Sequence, residues 1–310
     1  MHVVVIGGTG FIGRALCLAL AWKGHRVTVV TRKSRAASQR RGISVATVEW
    51  NGRDAGAWEE SLEGTDAVIN LAGAPLADAR WTRARKRLLI DSRVHLTRRL
   101  VEAISHRSAK PRVLINASGI GYYGPSDDRV LSEVAPYGQG FLADLCVAWE
   151  GEAQRAAEFG ARVVLLRTGM VLEADGGALP KMLLPFRLYL GGPIMPGTQW
   201  VSWIHRNDHI GLIEWALTTP AVSGPVNLVA PEPERMQAFC ATVARVLHRP
   251  CWLPVPETVL SLGLGELGTV MTTGQRVSPQ KALAGGYVFQ YSALETALQA
   301  ILKKRGVRAG

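Results

Sequence analysis

Apolar and polar positions alternate in two rhythms along the first half of the chain. Val3–Ile6 is a short unbroken apolar run that reads as a buried strand. After GGTGFIG comes a helix-period segment with Ile12, Leu16, Ala19 and Leu20 on one face, and Gly24 stops it. HRVTVVT then reads as a second buried strand. Strand, glycine turn, helix and strand make a βαβ unit of ~30 residues. Further strand-like runs lie at Ala67–Leu71, Val113–Ala117 and Val163–Leu166, with helical periods over Arg83–Ile104 and Leu142–Glu158 between them. GPVNLVAP adds a later strand. This alternation predicts an α/β fold: a Rossmann-type, doubly wound parallel sheet covered on both faces. The turns NLAG, NASG and RTG then sit at its carboxyl edge, where open sheets bind ligands.

Beyond Arg167 the rhythm is lost. LLPFRLYLGGPIMPGTQWVSWIH is rich in glycine, proline and tryptophan, and short helical periods follow from about Glu232, with an amphipathic helix at Ala293–Leu302. Residues 1–168 are expected to form a dinucleotide-binding domain whose sheet is completed from near 200–230. Residues 169–310 are expected to form mainly a smaller C-terminal substrate lobe closing over the ligand.

The chain's 310 residues suffice for a domain with an appended lobe. Apolar residues make up 47% and charged residues 20%, the balance of a soluble globular protein. No apolar run reaches the roughly 20 residues that span a bilayer, and the first residues are a strand rather than a leader. No membrane partner is expected. Cys17, Cys146, Cys240 and Cys251 show no metal-type spacing, so no metal is expected and a reducing, cytoplasmic setting is the default. The net charge of +11 favours an anionic partner. Much of it lies in RWTRARKRLLIDSRVHLTRR, a helical stretch with a solvated outer face, and no nucleic-acid motif accompanies it. A phosphorylated small molecule suits this charge; nucleic acid is not expected.

Gly7, Gly10 and Gly13 stand between strand and helix. Glycine there lets backbone N–H groups approach a pyrophosphate, and the helix N-terminus adds partial positive charge. A carboxylate after the second strand would hydrogen-bond the free ribose of NAD, but Thr31, Arg32, Lys33 and Ser34 occupy that place. A guanidinium can pair with a 2′-phosphate, which favours NADP(H) over NAD(H).

With GGTGFIG, NLAG, SRV, GYYG, WE, LRTGMVL, LLPFRLYLGGPI, SWIH and GQRVSPQ, the chain resembles the extended short-chain dehydrogenase/reductase superfamily nearly end to end. The resemblance is to its NAD-dependent epimerase/dehydratase group. More narrowly, it is similar to the bacterial epimerase family proteins related to a human atypical short-chain reductase. The resemblance implies that Gly7, Gly10, Phe11, Ile12 and Gly13 bind the pyrophosphate, and that Arg32 meets the 2′-phosphate. It further implies that Leu71, Ala72 and Gly73 line the ribose side. Counting back from Thr97 puts Arg93 in a slot that often holds Asn, from which an arginine reaches cofactor phosphates.

Family members use a Tyr-x-x-x-Lys pair ahead of a glutamate, the Lys lowering the Tyr pKa for proton transfer. Counting back from Glu150 puts Leu142 and Cys146 in those slots; a shift by one gives Phe141 and Leu145. Neither register restores the pair. Ser118 is the candidate for orienting substrate and lining the cofactor site, in a loop one residue longer than the common pattern. It either bulges into place or has a diminished role. Tyr122 and Tyr123 are candidate proton donors, with at least one expected to pack as an aromatic wall. His205 and Asp208 are further candidates, with the simpler expectation that His205 is structural and Asp208 anchors a short helix. Glu150 is expected on a helix surface without a partner. Trp200 and Trp203 are expected to wall the nicotinamide or a ring substrate.

Two functions follow. The first is an NADP(H)-dependent oxidoreductase or epimerase-like enzyme acting on a small polar molecule, with a nucleotide sugar implied by the family label. The second is a non-catalytic NADP(H)-sensing protein. Monomer and homodimer both remain open.

Overall fold

A computed structural model describes residues 1–32 and 45–306, with side chains placed to residue 303. Seven strands form the central sheet: β1 (His2–Ile6), β2 (Arg26–Thr31), β3 (Ala46–Glu49), β4 (Ala67–Asn70), β5 (Val113–Gly119), β6 (Arg162–Thr168) and β7 (Gly224–Leu228). Their spatial order is β7-β6-β5-β4-β1-β2-β3, and every pair is parallel. The chain reverses direction across the sheet at β1, which lies between β4 and β2. That switch point opens a crevice at the carboxyl ends of the strands.

Period-two alternation in β1 feeds two cores. Val3 and Val5 pack with Leu16 and Leu20 of α1 (Phe11–Trp22), and Val4 and Ile6 pack on the other face with Leu100 and Ile104. α1 stops as its sequence dictates. Gly24 takes φ +80° and donates to the Ala21 carbonyl, while the His25 amide reaches back to Leu20. The basic stretch expected as one helix is α2 (Arg83–Ile90) and α3 (Leu96–Ser105), joined without a break by a π turn over Asp91–His95. α4 (Phe141–Gln154) follows on the same side of the sheet.

The C-terminal lobe has its own core. Leu183 and Phe186 of α5 (Leu179–Arg187), Trp203, and Phe239 of α7 (Met236–Leu247) meet Leu298 and Ile301 of the helix Leu294–Gly306. Between them, α6 (Arg206–Thr218) packs on the sheet beside α1, and α8 (Glu257–Leu264) lies near the surface. Trp203 is fully buried and its indole N–H donates to the Glu232 carbonyl at 2.9 Å, so it cannot wall a ligand as expected. Two buried carboxylates fasten the lobe. Glu133 accepts from the amides of Asn227 and Lys281, and Asp208 accepts from those of Gln290 and Tyr291 at 2.7 and 3.0 Å. Among the described residues no helix is long and apolar enough to cross a membrane.

Candidate functional site

The carboxyl edge beside β1 is built around glycine. Gly7 has φ +80° and its carbonyl accepts from the Gly10 amide at 3.0 Å, closing a tight turn. A Cβ on Gly7 would lie 2.9 Å from the Leu71 carbonyl carbon, and one on Gly13 would collide with the Gly7 carbonyl. The two strand ends and the helix therefore approach as closely as only glycine permits. Gly10 caps α1 without a side-chain hydrogen bond, and no acid stands in the first turn. The first amides of α1 are thus left to an anion.

The cradle is shaped differently at each predicted position. Phe11 turns its ring away, against Gly176 and Gly177, with the Arg206 guanidinium 5.3 Å from the ring centre. Ile12 packs into the core beneath. Neither side chain carries a polar group, so hydrogen bonds to a ligand would come from their amides. Thr31 is half-buried with its hydroxyl 3.5 Å from that of Thr9. Arg32 is exposed at the end of β2, with no ion pair among the described residues. Lys33 lies outside the described residues.

Leu71, Ala72 and Gly73 form the neighbouring wall. The Leu71 amide donates to Ile6, and the Ala72 amide donates to the Asn70 side chain at 3.1 Å. Asn70 in turn donates to Asn116 at 2.7 Å and to Thr97 at 3.0 Å. These three buried polar residues fix the ends of β4 and β5 from beneath. Asn70 and Asn116 were missed in the sequence, although an Asn inside each apolar strand was the available signal, and Thr97 served there only to place Arg93. Arg93 comes from the π turn and lies against Gly73, where a Cβ would sit 3.1 Å from its guanidinium carbon. It is 9% exposed and donates to the Ala74 carbonyl at 2.9 Å. No carboxylate pairs with it among the described residues, and burial pulls its pKa down to about 10. A buried cation beside a glycine turn is suited to an anion.

On the far side of the crevice the expected proton-transfer groups are tied into one network. Ser118 donates to the Glu150 carboxylate at 2.6 Å. Glu150 is gripped by both sides of the Arg167 guanidinium, at 2.9 and 2.8 Å. It is buried, not a partnerless surface residue as its helix pattern implied. Arg167 also donates to the Tyr123 hydroxyl at 3.1 Å, and that hydroxyl donates to Asn227 at 2.7 Å. Burial alone would lower the Arg167 pKa, but the Glu150 carboxylate outweighs it and the net shift is upward. Burial raises the Tyr123 pKa, with Arg167 opposing. Tyr123, 4% exposed and doubly bonded, is part of the wall. Tyr122 is half-buried; the Arg167 guanidinium lies 3.4 Å from its ring centre, and its hydroxyl makes no hydrogen bond among the described residues.

On α4, Leu142 and Cys146 face the loop at Gly119 and Gly121. Leu142 packs on Gly121, and the Cys146 thiol points at the Gly119 carbonyl, 3.6 Å away, its pKa pushed up to about 11 by burial and then by Glu150. A protonated thiol cannot supply the positive charge of a lysine. His205 and Asp208 lie elsewhere. His205 caps α6 by accepting from the Asn207 amide and stacks on Tyr291 at 3.9 Å, while Asp208 holds the chain at Gln290 and Tyr291. Trp200 stands between two guanidiniums, Arg235 at 4.2 Å and Arg276 at 4.7 Å. It also borders an open cleft of about 540 Å³, lined by Asp127, Asp128, Arg235 and Thr273 among others.

Residues 3–229 match the model of the NAD dependent epimerase/dehydratase family, and residues 255–301 match a domain of unknown function, DUF1731. The chloroplastic homolog of epimerase family protein SDR39U1 from Arabidopsis thaliana is 41% identical over 98% of this chain and 87% of its own. Epimerase family protein YfhF of Bacillus subtilis is 40% identical, over 98% and 99% respectively. Among solved structures, human epimerase family protein SDR39U1 (isoform 2) with NADPH superposes with a TM-score of 0.88 at 35% identity, covering 98% of this chain and 99% of that one.

Proposed function

We propose a function from one premise: the chain belongs to the NAD dependent epimerase/dehydratase family. It binds NADP(H), in preference to NAD(H), and acts as an oxidoreductase or epimerase-like enzyme on a small polar substrate. The observation that carries this reading is the close-packed glycine cradle, in which Gly7 and Gly13 admit no Cβ and the α1 amides are left uncapped. NADPH in the human relative supports the choice of coenzyme, as does Arg32 in place of an acid after β2.

The residues fit the coenzyme in charge and shape. The amides of Phe11, Ile12 and Gly13 would hold the pyrophosphate, with Arg93 adding positive charge beside Gly73. Arg32 would hold the 2′-phosphate, and Leu71–Gly73 would line the ribose. When bound, the nicotinamide ring supplies or accepts a hydride. The protein's own part is the proton. Tyr122 Oη would donate to the carbonyl oxygen of a substrate being reduced, and would take a proton from a hydroxyl in the reverse direction. Arg167, anchored by Glu150, holds the Tyr122 ring from one side. Ser118 has a diminished role because its proton is engaged by Glu150.

The second reading, a sensor that binds NADP(H) without turnover, is favoured by that same engagement of Ser118 and by the apolar or neutral groups at Leu142 and Cys146. Calorimetry with NADPH and NADH tests the binding common to both. Arg32→Ala is expected to weaken NADPH far more than NADH, by roughly 1–3 kcal/mol. Equal losses remove Arg32 from 2′-phosphate recognition, and no heat with either nucleotide ends the proposal. NADPH consumption across a panel of carbonyl compounds then separates enzyme from sensor, with Tyr122→Phe expected to abolish any turnover found.

A further inference from the structure

Six large apolar side chains of the C-terminal lobe stay between 44% and 64% exposed: Leu184, Leu188, Tyr189, Leu190, Trp252 and Leu253. They form one surface. Leu184 and Leu188 are a turn apart at the end of α5. The Trp252 indole N–H donates to the Tyr189 carbonyl at 2.9 Å, and the amides of Trp252 and Leu253 both donate to Gly191, at 3.0 and 3.1 Å. Apolar surface gathered in this way marks a contact site rather than ordinary scatter.

The backbone beneath is strained in a telling place. α5 ends as α1 does, with the Tyr189 amide on Phe186 and the Leu190 amide on Pro185. In α1 the left-handed position of this motif is Gly24; in α5 it is Tyr189, at φ +61°. A bulky residue is disfavoured there, and the residue after it, which in this motif often folds back on the helix, is half exposed. Local stability would choose glycine at 189; the chain holds an aromatic outward instead.

The charged residues of the two segments that build the patch are cationic, and one of them, Lys181, pairs with Asp78 at 3.8 Å. The Arg249 guanidinium lies 4.5 Å from the centre of the Tyr189 ring, and Arg187 is exposed between Phe186 and Leu188. No Asp or Glu occurs from Gly176 to Asn207, or from Met236 to Pro256, the two segments that build the surface.

We propose that this surface docks on an anionic lipid bilayer, lying on the membrane without crossing it. Tyr and Trp favour the depth of the headgroups, leucines enter the acyl boundary, and each arginine adds attraction to anionic lipid. The net charge of +11 draws the whole molecule toward such a surface. A second copy of the chain fits less well. A two-fold contact would set Arg187 and Arg249 of both copies into one interface, with no carboxylate from either segment to balance them. The absence of a spanning helix bears on crossing a bilayer, and surface docking needs none.

Co-sedimentation with vesicles tests this. The wild-type chain is expected to pellet with vesicles of phosphatidylcholine and phosphatidylglycerol, weakly with phosphatidylcholine alone, and less as salt rises. Tyr189→Gly relieves the backbone strain, so it is expected to keep or raise the melting temperature while lowering binding about fivefold or more. Arg187→Glu is expected to lower it about tenfold at low salt, since each surface cation contributes a factor of about five. Failure of the wild type to pellet with anionic vesicles overturns the proposal, as does undiminished binding by both variants. A dimer in light scattering that these variants dissociate, with no vesicle binding, would assign the surface to a second copy and also overturn it.

Discussion

Arg167 and Glu150 are the residues on which the far wall of the crevice depends. Arg167 is 3% exposed, and its fork satisfies both oxygens of a buried carboxylate. Removing either partner strands a charge away from water, whereas removing both does not. Arg167→Met is therefore expected to cost about 3–5 kcal/mol in urea unfolding, and Arg167→Met with Glu150→Leu less than the sum of the single changes. Simple additivity would show that the two do not act as a pair. Arg167 was passed over as a site residue in the sequence, although its signal, an arginine closing the apolar run VVLL, was visible. Its partner was not, because Glu150 sits on a helix whose local pattern gives no sign that a strand passes beneath it.

At the scale of elements, the cradle depends on how closely β1, β4 and the start of α1 can approach. Gly13→Ala drives a Cβ into the Gly7 carbonyl, and backbone on both sides has no soft atom to yield. It is expected to lower both the melting temperature and the NADPH affinity, the latter by at least about tenfold, or ~1.4 kcal/mol. Gly151, in the last turn of α4, faces open space and supplies the contrast. Gly151→Ala is expected to raise stability by about 0.5–1 kcal/mol and to leave NADPH binding unchanged. If calorimetry finds the two variants alike, close packing is not what the glycine motif secures. The glycine spacing was legible because it is a local backbone requirement. The π turn that delivers Arg93 was not: it keeps the helical rhythm of its neighbours, and only the extra residue in its turn sets it apart.

At the scale of the whole molecule, one acid-sensitive group lies where α6 meets the end of β6. His209 is enclosed, with one ring nitrogen 3.1 Å from the Thr168 hydroxyl, and burial pulls its pKa from 6.5 to about 3. Between those values the unfolded chain takes up a proton that the folded chain refuses. Stability from this group is complete above pH 6.5 and declines as pH falls toward 3. Asp208, raised by burial, contributes the opposite slope above its ordinary value of 3.8. Thermal melts across this range are expected to fall steeply on acidification, and His209→Gln to flatten the fall. An unaltered slope in that variant would place the acid sensitivity elsewhere. Since α6 also holds the chain at Gln290 and Tyr291, loosening this contact would release the lobe together with the crevice it borders.

The sequence by itself determined the parallel α/β sheet, the glycine turn after β1 and the basic residue after β2. Each is written in neighbouring residues: periodicity reports which faces are buried, and spacing reports what backbone a turn requires. Tertiary structure alone decided which polar groups meet. It buried Trp203, committed the Tyr123 hydroxyl to Asn227, joined Ser118 to Glu150 and left a belt of leucines and aromatics uncovered on the lobe. Those outcomes depend on strand order and on the packing of distant segments. A side chain's partner is set by which element lies opposite it, and no local pattern encodes that.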